Sequence, residues 1–79
     1  VLVDVRTATE HQNGNIPNSI NIDLDTLREN LDQFDANKTY IVYCQVGLRG
    51  YLAHRILRNH GIKSINLNGG YSIWKATQF

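Results

Sequence analysis

The chain has a single cysteine, Cys44, and it follows the run Thr39-Tyr40-Ile41-Val42-Tyr43, five residues of strand-forming type. Behind it comes Gln45-Val46-Gly47-Leu48-Arg49-Gly50, and then a helical pattern that runs to about His60, stopped by Gly61. A thiol placed between a strand end and a helix start is open to three stabilising effects. The helix N-terminus carries a partial positive charge and N–H groups without partners. Successive loop amides can gather round an anion. Arg49 adds a permanent cation. All three favour thiolate over thiol, while Gly47 and Gly50 allow a bound group to approach the backbone closely. A lone cysteine ending a strand is often only a small buried hydrophobe. The order strand, cysteine, loop, arginine, helix instead favours a reactive nucleophile. Arg49 supports this, because an arginine in the first turn of a helix meets an already positive end and is best explained by an anion it binds. Cys44 is therefore the candidate nucleophile. Gln45, Val46, Gly47, Leu48, Arg49 and Gly50 are the candidate cradle for an anionic group.

The other titratable residues carry less. His54 lies ten residues beyond Cys44, too far along a helix rising 1.5 Å per residue to pair with the thiol. His60 reads as a helix C-terminal cap and His11 as part of a polar helix, and the three offer no metal-site spacing. With one cysteine there is no internal disulfide and no paired-cysteine redox or zinc site. A lone thiol suits a reducing, cytoplasmic compartment. Tyr71 and Trp74 read as core or rim residues, and Arg55, Arg58 and Lys63 as a solvated basic face.

The elements that must position Cys44 alternate. Val1 to Val5 and Ser19 to Ile22 are short strand-like runs. Between them Thr7 and Glu10 have capping-box spacing, Gly14 stops the helix, and Asn15-Ile16-Pro17-Asn18 turns the chain. Asp23 or Asp25 can cap a second helix whose apolar residues Leu24, Leu27, Leu31 and Phe34 form one stripe. The long helix after Cys44 has the stripe Leu48, Leu52, Ile56 and Leu57. Ser64 to Leu67 reads as a fourth strand, Asn68-Gly69-Gly70 as a turn, and Ile73 and Trp74 as part of a last short helix. Strands alternating with helices predict a mostly parallel sheet of about four to five strands with helices on both faces. In such a sheet ligands bind beyond the carboxyl ends of the strands, where Cys44, Gly69, Gly70, Asp4 and Arg6 all fall. The 79 residues make one small domain. Because the sequence opens in mid-strand at Val1, it reads as a fragment of a longer chain. A net charge of +1 makes no electrostatic case for nucleic acid or a membrane surface, and no apolar run approaches a membrane span.

Taken together these motifs resemble a rhodanese-like domain over essentially the whole length. Val3-Asp4-Val5-Arg6 looks like the family's opening signature. Ile16-Pro17 and Ser19-Ile20-Asn21-Ile22 match its turn and following strand. Val42-Tyr43-Cys44 with Gly47 and Arg49 matches the active-site loop, and Leu67, Gly69, Gly70 and Trp74 match the closing motif. Asn15 stands where the family has a histidine, and Asn18 where it has a glycine after the proline. The loop from Cys44 to Tyr51 is most similar to the C-terminal rhodanese domain of flavin-dependent coenzyme A-disulfide and persulfide reductases. The resemblance implies the family's three-layer α/β fold and a sulfurtransferase that holds a persulfide on Cys44. It implies a small sulfur donor, either thiosulfate or coenzyme A persulfide, and a thiol acceptor. The domain itself would hold no cofactor. A flavoprotein domain in the same chain would bring FAD and coenzyme A. Asp4 and Arg6 would orient the loop from a neighbouring strand end.

Two other readings compete. Related cell-cycle phosphatases share the fold but place one more residue between cysteine and arginine. Four residues separate Cys44 from Arg49, a ring sized for sulfur rather than phosphate. Some rhodanese-like domains are non-catalytic docking modules, and these usually lack the cysteine that this chain keeps.

Overall fold

A computed structural model describes residues 1–78. Its four strands are β1 (Leu2–Asp4), β2 (Ile20–Asn21), β3 (Thr39–Tyr43) and β4 (Lys63–Asn66). They pair in the order β2-β1-β3-β4, all parallel. The register sets Val3 beside Val42 and Asp4 beside Tyr43, so the ends of β1 and β3 finish level. Every crossover returns the chain to the same end of the sheet before the next strand begins, so the carboxyl ends of all four strands gather on one side. The sheet expected from the alternating pattern is present with four strands.

Side chains alternate across a strand. Val3, Val5, Tyr40 and Val42 point to one face, where they pack with Leu27, Ala53, Ile56 and Leu57. Leu27 and Leu57 are fully buried, each contributing roughly 1.5–3 kcal/mol by removal from water. This face is covered by helix α2 (Leu48–Asn59) and by the segment Leu24–Gln33. Helix α2 differs from its expected stripe. Ile56 and Leu57 are buried as anticipated, but Leu48 and Leu52 are 72% and 42% exposed. Gly50 and Ala53 take the inward positions instead. The reason is close packing: a Cβ on Gly50 would overlap the side-chain oxygen of Asn66 in β4, so only the smallest residues fit at the start of this helix.

The segment Leu24–Gln33 also departs from expectation. Its stripe is real, with Leu27 buried and Leu24, Leu31 and Phe34 packed against the core, but it winds as 3₁₀ helix and kinks at Asn30 (φ −116°, ψ 16°). Asp23, Thr26 and Asn30 all bond to nearby backbone: Thr26 Oγ1 donates to the Asp23 carbonyl and Asn30 Nδ2 to the Thr26 carbonyl. Such side chains compete with α-helical hydrogen bonds, and the three-residue steps Leu24–Leu27 and Leu31–Phe34 suit the tighter winding.

On the opposite face lie the turn after helix α1 (Ala8–Gln12) and helix α3 (Gly70–Ala76). Tyr43, directed away from the α2 side, accepts a hydrogen bond from the Ile16 amide and bonds Ser19 Oγ at 2.8 Å. The Asn18 substitution in this turn is well tolerated locally. Asn18 is the one non-glycine residue with positive φ, at 68°, among those described, and asparagine is among the few side chains that adopt this conformation readily.

Candidate functional site

Cys44 follows the last residue of β3 and is 2% exposed. Three elements hold the loop that starts on it. From α3, the Tyr71 amide donates to the Cys44 carbonyl at 2.8 Å and the Ser72 amide to the Gln45 carbonyl at 3.0 Å. The orphan N–H groups of one helix start thus fix the backbone at the start of the loop. From just beyond the end of β1, Arg6 Nη1 donates to Gln45 Oε1 at 3.1 Å, while Gln45 Nε2 donates to Ser72 Oγ at 3.0 Å. From β4, Asn66 Nδ2 donates to the Gly47 carbonyl at 3.3 Å. Gln45 is therefore a strap across the loop, its side chain committed to Arg6 and Ser72.

The expected supporting pair is present and buried. Asp4 (0% exposed) accepts from the Arg6 amide at 2.9 Å, from Arg6 Nε at 3.0 Å and from Arg6 Nη2 at 2.8 Å. Arg6 Nη2 also donates to the Gly14 carbonyl at 2.6 Å, and its guanidinium lies 4.4 Å from the Tyr71 ring centre and 5.7 Å from that of Tyr43. The donors of Arg6 are used within the fold, so this arginine fastens β1, the Gly14 turn, the Cys44 loop and α3 together. His11 Nδ1 reaches Asp4 Oδ2 at 2.9 Å. Burial pushes the Asp4 carboxyl up, but its bonds to Arg6 and His11 outweigh this and hold it below the usual range.

Arg49, in the first turn of α2, makes a bidentate bridge to Glu10 of α1: Nη1 to Oε1 at 2.6 Å and Nη2 to Oε2 at 2.9 Å. The cation expected beside the loop is there, with its charge matched by a carboxylate. Glu10 also closes the anticipated capping box with Thr7. The bond to Arg49 pulls the Glu10 carboxyl down to about 2. Val46 and Leu48 project outward at 69% and 72% exposure, forming an apolar rim beside the loop. Gly50 is buried against Asn66.

Three neighbours of the loop were not singled out as site residues by sequence reasoning: Glu10, Asn66 and Ser72. Capping-box spacing explained Glu10 so fully that nothing signalled its second bond. Asn66 ends β4, and its Oδ1 is buried without a hydrogen-bond partner among the described residues. His54 and His60 play no part, bonding Ser64 Oγ and the Ile56 carbonyl. No metal-binding cluster occurs among the described residues, and no described helix is long and apolar enough to cross a membrane.

The lowered carboxyls give the fold a directional pH response. Glu10 and Asp4 both titrate lower when folded than when unfolded, so each contributes stability that is lost on acidification; for Glu10 that contribution is complete above about pH 4.5 and is lost as pH falls toward about 2. The thermal midpoint is expected to fall steadily over that window, and less steeply in Glu10→Gln. A midpoint flat across it would contradict the bridge.

Comparison with known proteins agrees with this architecture. The family model of the rhodanese-like domain matches residues 1–77. The chain is 32% identical over 78 residues to the thiosulfate sulfurtransferase GlpE of Pseudomonas savastanoi pv. phaseolicola, covering 98% of this chain and 74% of that protein. A rhodanese-related protein from Thermoplasma volcanium superimposes with a TM-score of 0.93 at 33% identity, over 99% of this chain and 78% of that one. Reduced CoADR-RHD of Bacillus anthracis matches with a TM-score of 0.88 at 42% identity, over 92% of this chain but 13% of the larger one. With its parallel sheet, its cysteine at the end of β3 and its arginine in the following helix, the chain belongs to the rhodanese-like domain family.

Proposed function

We propose that this domain is a sulfurtransferase that carries sulfur as a persulfide on Cys44. The observation that carries the reading is the position of Cys44 at the start of a loop fixed from α3, the end of β1 and β4, with four residues between it and the Arg49 cation. With thiosulfate, the Cys44 thiolate attacks the outer, sulfane sulfur. A Cys44 S–S bond forms, the S–S bond of thiosulfate breaks, and its electron pair leaves with sulfite. A thiol acceptor, as thiolate, then takes the outer sulfur and returns Cys44 to the thiolate. No net redox change is needed, so the domain itself needs no cofactor. The loop from Gln45 to Gly50 holds the charged persulfide.

The match to a small part of the larger CoADR-RHD chain supports a finer reading. The domain would sit in a flavoprotein with FAD, and coenzyme A persulfide would be its donor. The test is intact mass after incubation with thiosulfate. The domain is expected to gain the mass of one sulfur atom and lose it again to added thiol, while Cys44→Ser gains nothing. No gain in the parent protein, or a gain that survives Cys44→Ser, would overturn the proposal.

A further inference from the structure

Arg49 is the one cation in the Cys44 loop, yet its guanidinium is already occupied. Both terminal nitrogens point at Glu10, at 2.6 and 2.9 Å. Glu10 is itself held in place, since its Oε1 accepts from the Thr7 amide and the Thr7 hydroxyl while Thr7 Oγ1 accepts from the Glu10 amide. The bridge is part-buried, with the two side chains 35% and 32% exposed. An anion approaching the loop therefore meets a neutral pair, and each added negative charge on it is opposed by a fixed carboxylate.

We propose that Glu10 is a positioning residue that sets donor selectivity at Cys44: by neutralising and aiming Arg49, it disfavours doubly charged sulfur donors relative to singly charged ones. The inference rests on the persulfide reading for its sulfur chemistry, but its electrostatic core applies to any reagent that reaches the Cys44 sulfur. The physical basis is simple. A part-buried carboxylate near the loop repels a dianion about twice as strongly as a monoanion. Removing it also frees the Arg49 donors for the ligand.

The test uses pairs of reagents that differ in charge but little in shape. Thiosulfate and methanethiosulfonate both offer a terminal sulfane sulfur, the first as a dianion leaving sulfite, the second as a monoanion leaving methanesulfinate. Iodoacetate and iodoacetamide both alkylate the Cys44 thiolate with loss of iodide, and only the first is charged. The variant is Glu10→Gln, because glutamine keeps the capping-box geometry of α1. In Glu10→Gln the thiosulfate-to-methanethiosulfonate rate ratio is expected to rise about tenfold, with the gain shrinking at high salt. The iodoacetate-to-iodoacetamide ratio is expected to rise in the same direction. A purely structural role for Glu10 would change all four rates together and leave both ratios fixed, and that result overturns the inference. If neither sulfur donor loads the parent protein, the persulfide reading fails. The alkylation ratio then still decides the role of Glu10.

Discussion

Asp4→Ala is expected to destabilise the domain by about 3–5 kcal/mol, the usual cost of removing one partner from a buried ion pair. A core this small supplies no more than about 3–5 kcal/mol in total, so the variant should be largely unfolded at room temperature. The cause is the partner left behind. Arg6 is 2% exposed and directs its Nε, one terminal nitrogen and its backbone amide at the Asp4 carboxylate. Without that carboxylate a buried guanidinium has no counter-charge, and the link from β1 to the Gly14 turn and the Cys44 loop loosens. Two further variants separate charge from contact. Asp4→Asn keeps the shape and an acceptor oxygen and should lose less. The double variant Asp4→Ala with Arg6→Met removes the stranded charge and should recover part of the loss, since replacing a buried pair by apolar groups is often tolerated. Urea denaturation followed by far-ultraviolet circular dichroism measures all three. An Asp4→Ala midpoint close to that of the parent would refute the account.

Much of the site could be read in the sequence because its signals are local. The strand Thr39–Tyr43 and the arginine in the next helix show in composition and spacing alone, and so does the Thr7–Glu10 cap. Local patterns could not show what those residues meet across the fold. Glu10 and Arg49 are 39 residues apart, and the three parallel crossovers bring them together. Gln45 enters the expected cradle as a loop amide, and nothing in the spacing shows that Arg6 and Ser72 claim the two polar atoms of its side chain. The buried face of α2 differs from its apolar stripe for a related reason. Leu48 and Leu52 obey helical spacing, yet the close approach of α2 to Asn66 turns the helix so that Gly50 and Ala53 face inward. Periodicity locates a helix, but packing distance chooses which face goes inside. The Leu24–Gln33 segment shows the converse, where the apolar spacing was right and the capping side chains decided the winding.

Gly70→Ala is expected to damage both fold and site, and a comparison with Gly61→Ala shows why. Both glycines have left-handed backbone, with φ of 53° and 75°, a conformation that costs a residue with a Cβ about 1–2 kcal/mol. Gly61 ends α2 with nothing within 4 Å of where its Cβ would go. Gly61→Ala should therefore cost only that amount and leave sulfur uptake at Cys44 unchanged. At Gly70 the new Cβ would overlap the carbonyl oxygen of Cys44 and lie 3.0 Å from both its carbonyl carbon and the Gln45 oxygen. These are backbone atoms and cannot rotate away. Relief requires α3 to withdraw from the loop, breaking the bonds from Tyr71 and Ser72 to the Cys44 and Gln45 carbonyls. The overlap should add about 1–3 kcal/mol to the conformational cost. The folded fraction should also load sulfur more slowly, because the backbone that aims Cys44 is no longer fixed from α3. Denaturation midpoints and the rate of persulfide formation per folded molecule, measured on both variants, decide the matter. Equal losses at the two positions would mean that backbone conformation alone is at stake and that α3 does not hold the loop.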